Sequence, residues 1–389
     1  MHRHLVHILI PITVILYACP FFQWLSSRHQ APFALKDHAP AAGIEDGGAF
    51  MNAGFITPDT EGAMVHAASM CELPDGRLAA VWYGGSREGA EDVAVFFSRS
   101  RSAAGSSWSS PRMIVNRSTA SEELDRYIKK VGNPVIFAGP DLRLYLIYVT
   151  VTVGGWSGSS LNVKISEDRG ASWDKTRRLT LSPFFNISEL VRNKPVFMTD
   201  GRIGVPIYHE CMGDFPELLW LDPVDGKDKL SYRKTRMAGG ARFIQPCVVP
   251  YAPFCATAFY RCRSGEKKTG MAVTTDGGAA WSDPQFLSLP NMDAGLDAVG
   301  LSDGHMLMVF NDTTKGRENL KMALSHDRGR SWRRIATVEN SPGSEFSYPY
   351  LICTQSGQIH LLYTWHRKRI KHLVFNEAWV NEQLRGGVR

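Results

Sequence analysis

Ser166-Glu167-Asp168-Arg169-Gly170-Ala171-Ser172-Trp173, Thr274-Thr275-Asp276-Gly277-Gly278-Ala279-Ala280-Trp281 and Ser325-His326-Asp327-Arg328-Gly329-Arg330-Ser331-Trp332 are three copies of one pattern, S/T-x-D-x-G-x-x-W. Alternating apolar residues precede each copy, as in Leu161-Asn162-Val163-Lys164-Ile165, and a period of two marks a half-buried strand. The Asp and Gly then make a tight turn, because the carboxylate accepts backbone N–H bonds and glycine takes a positive φ at no steric cost. The Trp opens the next strand. A degenerate copy runs from Ser98 through Gly105 to Trp108.

Working outward, the Trp residues stand at 108, 173, 281 and 332, giving intervals of 65, 108 and 51. The interval of 108 holds two units, the middle one lacking the motif near Trp220 to Lys229. The unit is therefore just over fifty residues, as in propeller repeats. A second turn recurs one hairpin upstream, at Asp75-Gly76-Arg77, Asp200-Gly201-Arg202, Asp303-Gly304-His305 and Ser356-Gly357-Gln358. The expectation is an all-β, six-bladed β-propeller of four-stranded blades. We place it at residues 55–378, after a hydrophobic segment (1–24) and a tether (25–54), with a tail over 379–389. Residues near 55–65 are expected to complete the last blade.

The repeated motif is the Asp-box, or BNR repeat, and the chain resembles the sialidase (neuraminidase) superfamily over roughly residues 55–375. The resemblance implies structural Asp-boxes on the outer rim and a site at the channel mouth. It implies three arginines clamping a substrate carboxylate, whose shape guanidinium forks match. It also implies a Tyr nucleophile activated by a Glu, and an Asp acid/base; sialidases are an exception to the two-carboxylate rule of glycosidases.

Carried over position by position, the nucleophile falls on Tyr348, eight residues before the last turn at Ser356. Two clamp arginines fall on Arg261 and Arg317. The first blade's Gly84-Gly85-Ser86-Arg87-Glu88-Gly89-Ala90-Glu91-Asp92 supplies Arg87 as a ligand, with Asp92, Glu88 and Glu91 as candidate acids. Two positions depart from the pattern. The first clamp arginine is replaced by His66, which can donate to an anion but is not a guanidinium. The glutamate partner is replaced by Gln245, which cannot take a phenol proton. The arrangement is similar to a less characterised sialidase-like branch with landmarks such as His66-Ala67-Ala68-Ser69, Asn133-Pro134-Val135, Arg192-Asn193-Lys194-Pro195 and Ile244-Gln245-Pro246. Lys194, Asp297, Arg367 and Trp156 are further candidate ligands, Trp156 as a sugar-stacking ring or as blade core. Tyr208-His209-Glu210 ends a strand that also reaches the mouth.

Composition sets the bounds. The chain has 389 residues, 44% hydrophobic and 21% charged, with 35 Gly and 21 Pro, ample for a large core with many turns. The net charge of +6 is mild, and the one dense basic cluster, His366 to His372, continues a strand pattern, so nucleic acid is not an expected partner. Seven Cys show no CxxC spacing, which argues against zinc, and their spacing assigns no disulfide. No cofactor or metal is expected. Leu5 to Trp24 is apolar over a length that can cross a bilayer. It is read as an uncleaved anchor, with a cleaved signal peptide or a lipidated Cys19 as alternatives. The propeller would then be exported, on the periplasmic or extracellular side.

Three functions fit these residues. One is an exo-acting glycoside hydrolase on an acidic sugar such as a sialic, ulosonic or uronic acid. Another is a uronic-acid polysaccharide lyase, and the third a non-catalytic glycan-binding propeller.

Overall fold

The computed structural model describes residues 30–35, 48–59, 63–182, 186–223, 230–237 and 242–386. Their strands form six antiparallel sheets in chain order. Blade one holds β2 (Met64–Glu72), β3 (Leu78–Gly85), β4 (Ala94–Arg99) and β5 (Arg112–Asn116). Blade two holds β6 (Lys130–Ala138), β7 (Leu144–Val151), β8 (Ser159–Ser166) and β9 (Arg177–Arg178). In blade three the innermost strand is split into β10 (Leu190–Val191) and β11 (Val196–Phe197), followed by β12 (Ile203–His209), β13 (Phe215–Pro223) and β14 (Leu230–Arg236). Blade four is β15 (Phe243–Ala252), β16 (Cys255–Cys262), β17 (Lys268–Thr274) and β18 (Gln285–Pro290). Blade five is β19 (Asp297–Gly300), β20 (Met306–Phe310), β21 (Asn319–Ser325) and β22 (Arg333–Asn340). Blade six is β23 (Phe346–Cys353), β24 (Gln358–Trp365) and β25 (Arg369–Asn376), closed by β1 (Met51–Phe55).

The closing strand comes from the expected tether. It pairs Met51 with Phe375 through Phe55 with Lys371, so β25 is paired on both sides, by β1 and by β24. The expected tether also packs at Phe33, which bridges Met198, while Ala34 N–H donates to Phe197 O at 2.8 Å. The expected tail is a helix, Glu377–Gly386, whose Val380 is buried beside Phe375 and Leu373. The apolar run Leu5 to Trp24, with Cys19, lies outside the described residues. Among the described residues no helix is long and apolar enough to cross a membrane. Among the described cysteines, Cys211, Cys247, Cys255 and Cys262 are free thiols. Two Asn-x-Ser/Thr sequons, at Asn186 and Asn311, are buried.

The Asp-boxes hold blade to blade. In the first, Ser172 N–H donates to Asp168 Oδ1 at 2.8 Å and Gly170 N–H to Ser166 Oγ at 2.7 Å. Thr274-Asp276-Gly278 and Ser325-Asp327-Gly329 repeat these bonds. The glycine has φ of +86° at Gly170 and +90° at Gly329, and each lies under an aromatic ring of the preceding blade, Phe97 and Phe259. A Cβ at either would sit 2.4 Å from that ring, so the position admits only glycine.

In such a blade the turns between first and second and between third and fourth strands share one end. The loops after the second strands share the other end, with the crossings to the next blade. The Asp-boxes and residues 30–35 occupy the first end. At the second end four innermost strands carry a β-bulge with a positive-φ residue at the same height: Ala67 (+49°), Asn133 (+44°), Gln245 (+52°) and Tyr348 (+54°). A bulge re-aims a side chain out of the pleat.

Candidate functional site

The loops after the second strands supply one set of side chains each: Arg87, Glu88 and Asp92 after β3, Trp156 after β7, Glu210 after β12, Arg261 at the end of β16, Arg317 before β21, and Arg367 between β24 and β25. The bulged inner strands add His66, Gln245 and Tyr348.

Tyr348 is at the centre. Arg261 Nη1 donates to its hydroxyl at 3.4 Å and to Gln245 Oε1 at 3.3 Å. The Arg317 guanidinium lies 5.4 Å from the Tyr348 ring centre, and Arg192 lies 5.1 Å from it. Asp293 sets both mouth arginines: its carboxylate accepts Arg261 Nε at 2.6 Å and its carbonyl accepts Arg317 Nη2 at 3.2 Å. Glu345 accepts Arg317 Nη1 at 3.5 Å and Arg367 Nε at 2.7 Å, and Arg367 Nη1 continues to Glu88 at 2.7 Å. Burial raises the Tyr348 phenol, but the Arg261 and Arg317 charges outweigh it, and its pKa falls below the ordinary tyrosine value. Phenolate is thus more accessible here than on a free tyrosine.

The expected residues divide. Tyr348, Gln245, Arg261, Arg317, Arg367 and Glu88 come together through the contacts just given. Gln245 Nε2 donates to Tyr208 Oη at 3.3 Å, so the amide bridges two phenols and one guanidinium. His66 is buried, its Nδ1 3.1 Å from Thr364 Oγ1 and its ring edge-on to Tyr348 at 4.7 Å. Burial, and then the charges of Arg367, Arg317 and Arg192, depress its pKa well below the usual value, so it is neutral. It supports the phenol ring, and the third guanidinium of the mouth comes from Arg367.

Lys194 and Asp297 lie apart from this cluster. Lys194 Nζ donates to Asp297 Oδ1 at 2.6 Å, and the fully buried Asp297 also accepts Leu351 N–H at 2.6 Å and Ala298 N–H at 3.0 Å. All of this binds β19, β23 and the split inner strand of blade three. Lys194 faces an apolar cavity of about 440 Å³, lined by Leu73, Phe137, Val248 and Ile352, toward the Asp-box end. The pair therefore braces the channel instead of lining the mouth. Asp92 is also engaged: it accepts Ser86 N–H at 2.8 Å and Ser86 Oγ at 2.9 Å. These bonds lower its pKa, the opposite of what a general acid needs. Glu91 pairs with Arg117 at 2.9 Å, and the Arg87 guanidinium is exposed. Trp156 packs on the core of blades two and three and holds Lys130 Nζ 3.9 Å from its ring centre.

Three further contributors were not among the candidate ligands, although Arg192 stands in the landmark Arg192-Asn193-Lys194-Pro195. Asp293 stands in a loop remote in sequence from both arginines that it holds. Arg192 spans the channel, donating to Tyr348 O at 2.7 Å, Pro349 O at 3.2 Å and Ala68 O at 3.3 Å. Gly295 makes room for the phenol: a Cβ there would stand 2.8 Å from Tyr348 Cδ1 and 3.2 Å from Gln245 Oε1. Among the described residues no group of His, Cys, Asp or Glu could hold a metal ion.

A family model described as a BNR repeat-like domain matches residues 76–361. Among solved structures, a protein of unknown function from Dyadobacter fermentans superposes with a TM-score of 0.67 at 13% identity, covering 85% of this chain and 99% of that one. The Hadza microbial sialidase Hz136 superposes with a TM-score of 0.67 at 15% identity, covering 80% and 65%. The intramolecular trans-sialidase from Ruminococcus gnavus, in complex with oseltamivir carboxylate, gives 0.64 at 15% identity, covering 85% and 98%. No curated protein matches. At these identities the likeness is one of fold, a sialidase-like β-propeller.

Proposed function

The chain belongs to the family of BNR repeat-like domains, and from that premise we propose that it is an exo-acting glycoside hydrolase for an acidic sugar, a sialic acid or a related ulosonic or uronic acid, at the end of a glycan. The observation that carries this reading is the placement of Tyr348 between Arg261 and Arg317. The two guanidinium groups suit a sugar carboxylate, and the same charges favour the phenolate. The phenol proton leaves to solvent. The Tyr348 oxygen then bonds to the anomeric carbon as the glycosidic bond breaks, and water releases the sugar in a second step. No glutamate base is required if the cations do this work, which accounts for Gln245.

Gln245 also favours a second reading, a glycan-binding propeller without turnover, since an amide cannot accept the phenol proton. The experiment is release of free sugar from sialosides, other ulosonides and uronides by the fragment from residue 30 onward, with Tyr348→Phe beside it. Release that is lost in the variant supports the hydrolase. Binding with no product over long incubation supports the second reading. We further propose that the apolar run at Leu5 to Trp24 holds the propeller at a membrane on the exported side; recovery of the full chain in the soluble fraction of lysed cells would contradict it.

A further inference from the structure

A hydrolase of this kind needs a proton for the departing sugar oxygen, and the mouth's carboxylates are almost all committed elsewhere. Asp293 is bound to Arg261, Glu345 to Arg317 and Arg367, Glu88 to Arg367, and Asp92 to Ser86. Against burial, the arginines lower the pKa of Glu345, and the Ser86 bonds lower that of Asp92, which makes both poor proton donors near neutral pH.

Glu210 differs. It follows the end of β12 in the loop that opens at the mouth, and its backbone N–H is fixed to Ser188 Oγ at 2.7 Å. Its side chain is only 16% exposed, and its one ion-pair contact is long, 3.7 Å from Arg263 Nη1. Arg263 itself is drawn to Asp214 at 3.2 Å. Two residues back, Tyr208 places its hydroxyl on Gln245, the neighbour of Arg261 and Tyr348. Glu210 itself lies just past the strand, one residue after His209. Glu210 therefore stands beside the mouth, on the Tyr208 side of the nucleophile. The charged and titratable groups facing it are Arg263, Arg261, Asp214, Asp293 and Tyr208. Burial, its largest influence, raises its pKa above the ordinary glutamate value against the two arginines.

We propose that Glu210 is the general acid/base of this site, the place for which the sequence offered Asp92, Glu88 and Glu91. The inference rests on the hydrolase reading above. In the first step the Tyr348 oxygen forms its bond to the anomeric carbon, the glycosidic electron pair passes to the leaving oxygen, and Glu210 protonates that oxygen. In the second, Glu210 carboxylate takes a proton from water as the water oxygen bonds to the same carbon. The bond to Tyr348 breaks, its electron pair returning to the phenolate.

The test compares 3'-sialyllactose with a 4-methylumbelliferyl sialoside, whose leaving group needs no protonation. Glu210→Gln is expected to lower kcat/KM about 10²–10⁴-fold on the lactoside, with far less effect on the aryl sialoside, and to remove the alkaline limb of the pH profile. With Glu210→Ala, azide is expected to restore turnover of the aryl substrate. Equal loss on both substrates, or an unchanged pH profile, overturns the assignment while the hydrolase stands. A wild-type chain that cleaves neither substrate but binds sialyllactose overturns the hydrolase reading, and the acid/base role with it.

Discussion

Arg261 Nη1 lies 3.4 Å from the Tyr348 hydroxyl and 3.3 Å from Gln245 Oε1, so one guanidinium faces both the expected nucleophile and the residue standing where a base was expected. An amide accepting from Arg261 adds no negative charge, and the full cation acts on the phenol. Replacing Arg261 by Met should raise the Tyr348 pKa, because the charged form loses its nearest cation. A pH titration of phenolate absorbance against Tyr348→Phe reads the shift directly. Turnover should fall by about 10²-fold or more, as for loss of an electrostatic stabiliser.

Gly295→Ala isolates the position of the phenol from its chemistry. The added methyl meets Tyr348 Cδ1 at 2.8 Å and must push the ring or the loop aside. We expect kcat to fall about tenfold or more, since small misplacements at a reacting centre cost that much, with the thermal midpoint changed by only a few degrees. Unchanged kcat would show that the phenol need not sit where it does.

The inter-blade staple is tested at Gly329. Alanine there meets the Phe259 ring at 2.4 Å and takes on a φ of +90° that L-residues avoid. A loss of roughly 2–4 kcal/mol in denaturant unfolding is expected from the strain and overpacking together. Activity per folded molecule should stay unchanged, because the Asp-boxes lie at the other end of the blades.

The Lys194–Asp297 pair should behave as a brace. Asp297 is fully buried and its partner nearly so, at 18% side-chain exposure. Lys194→Met leaves an uncompensated carboxylate inside the channel, costing about 3–5 kcal/mol. Urea unfolding checks the cost. A stable Lys194→Met protein that has lost sugar binding would instead place Lys194 in the site.

Acid should weaken the sixth blade. His360 Nδ1 and His372 Nε2 are 3.0 Å apart and buried. Burial, with His372 as a second cause, lowers His360 from 6.5 to about 3, and burial lowers His372 to about 4. Above pH 6.5 both are neutral in either state and the native chain pays no penalty. As pH falls below that value the unfolded chain gains protons that the native one refuses, so stability declines until the native histidines titrate, His372 at about 4 and His360 at about 3. Replacing both by Asn should lessen the fall in the urea midpoint between pH 7 and about pH 4.5, leaving the share of His66. An equal decline in the variant would assign the acid sensitivity elsewhere.

Much of this was legible in the chain. Three Asp-boxes at a spacing of one or two units determined the blade count and the all-β class, because each box is a local bond set among residues eight apart or closer. Blades two and four show the limit: the inner turn of blade two has Leu142 at φ +65° where blades one, three, five and six have glycine, and that of blade four is Pro253-Phe254, so the Asp-Gly pattern missed both. The strand that closes blade six was placed near residues 55–65 and is Met51–Phe55, since pairing across more than 300 residues leaves no local mark.

The candidate site followed the same division. Residues anchored to a repeat, Tyr348, Arg261 and Arg317, could be counted from its landmarks, because each blade returns its second strand to the same mouth. What they touch could not. That Asp293 holds two arginines and that Arg367 supplies the third guanidinium are contacts between loops of different blades, and that Asp92 is spent on Ser86 while Glu210 is not is decided by side-chain geometry inside its own loop. The sequence by itself determined the blades and which loops meet. Only the tertiary structure decided which charges neutralise one another there, because ion pairing depends on ångström distances and burial, and neither has a period along the chain.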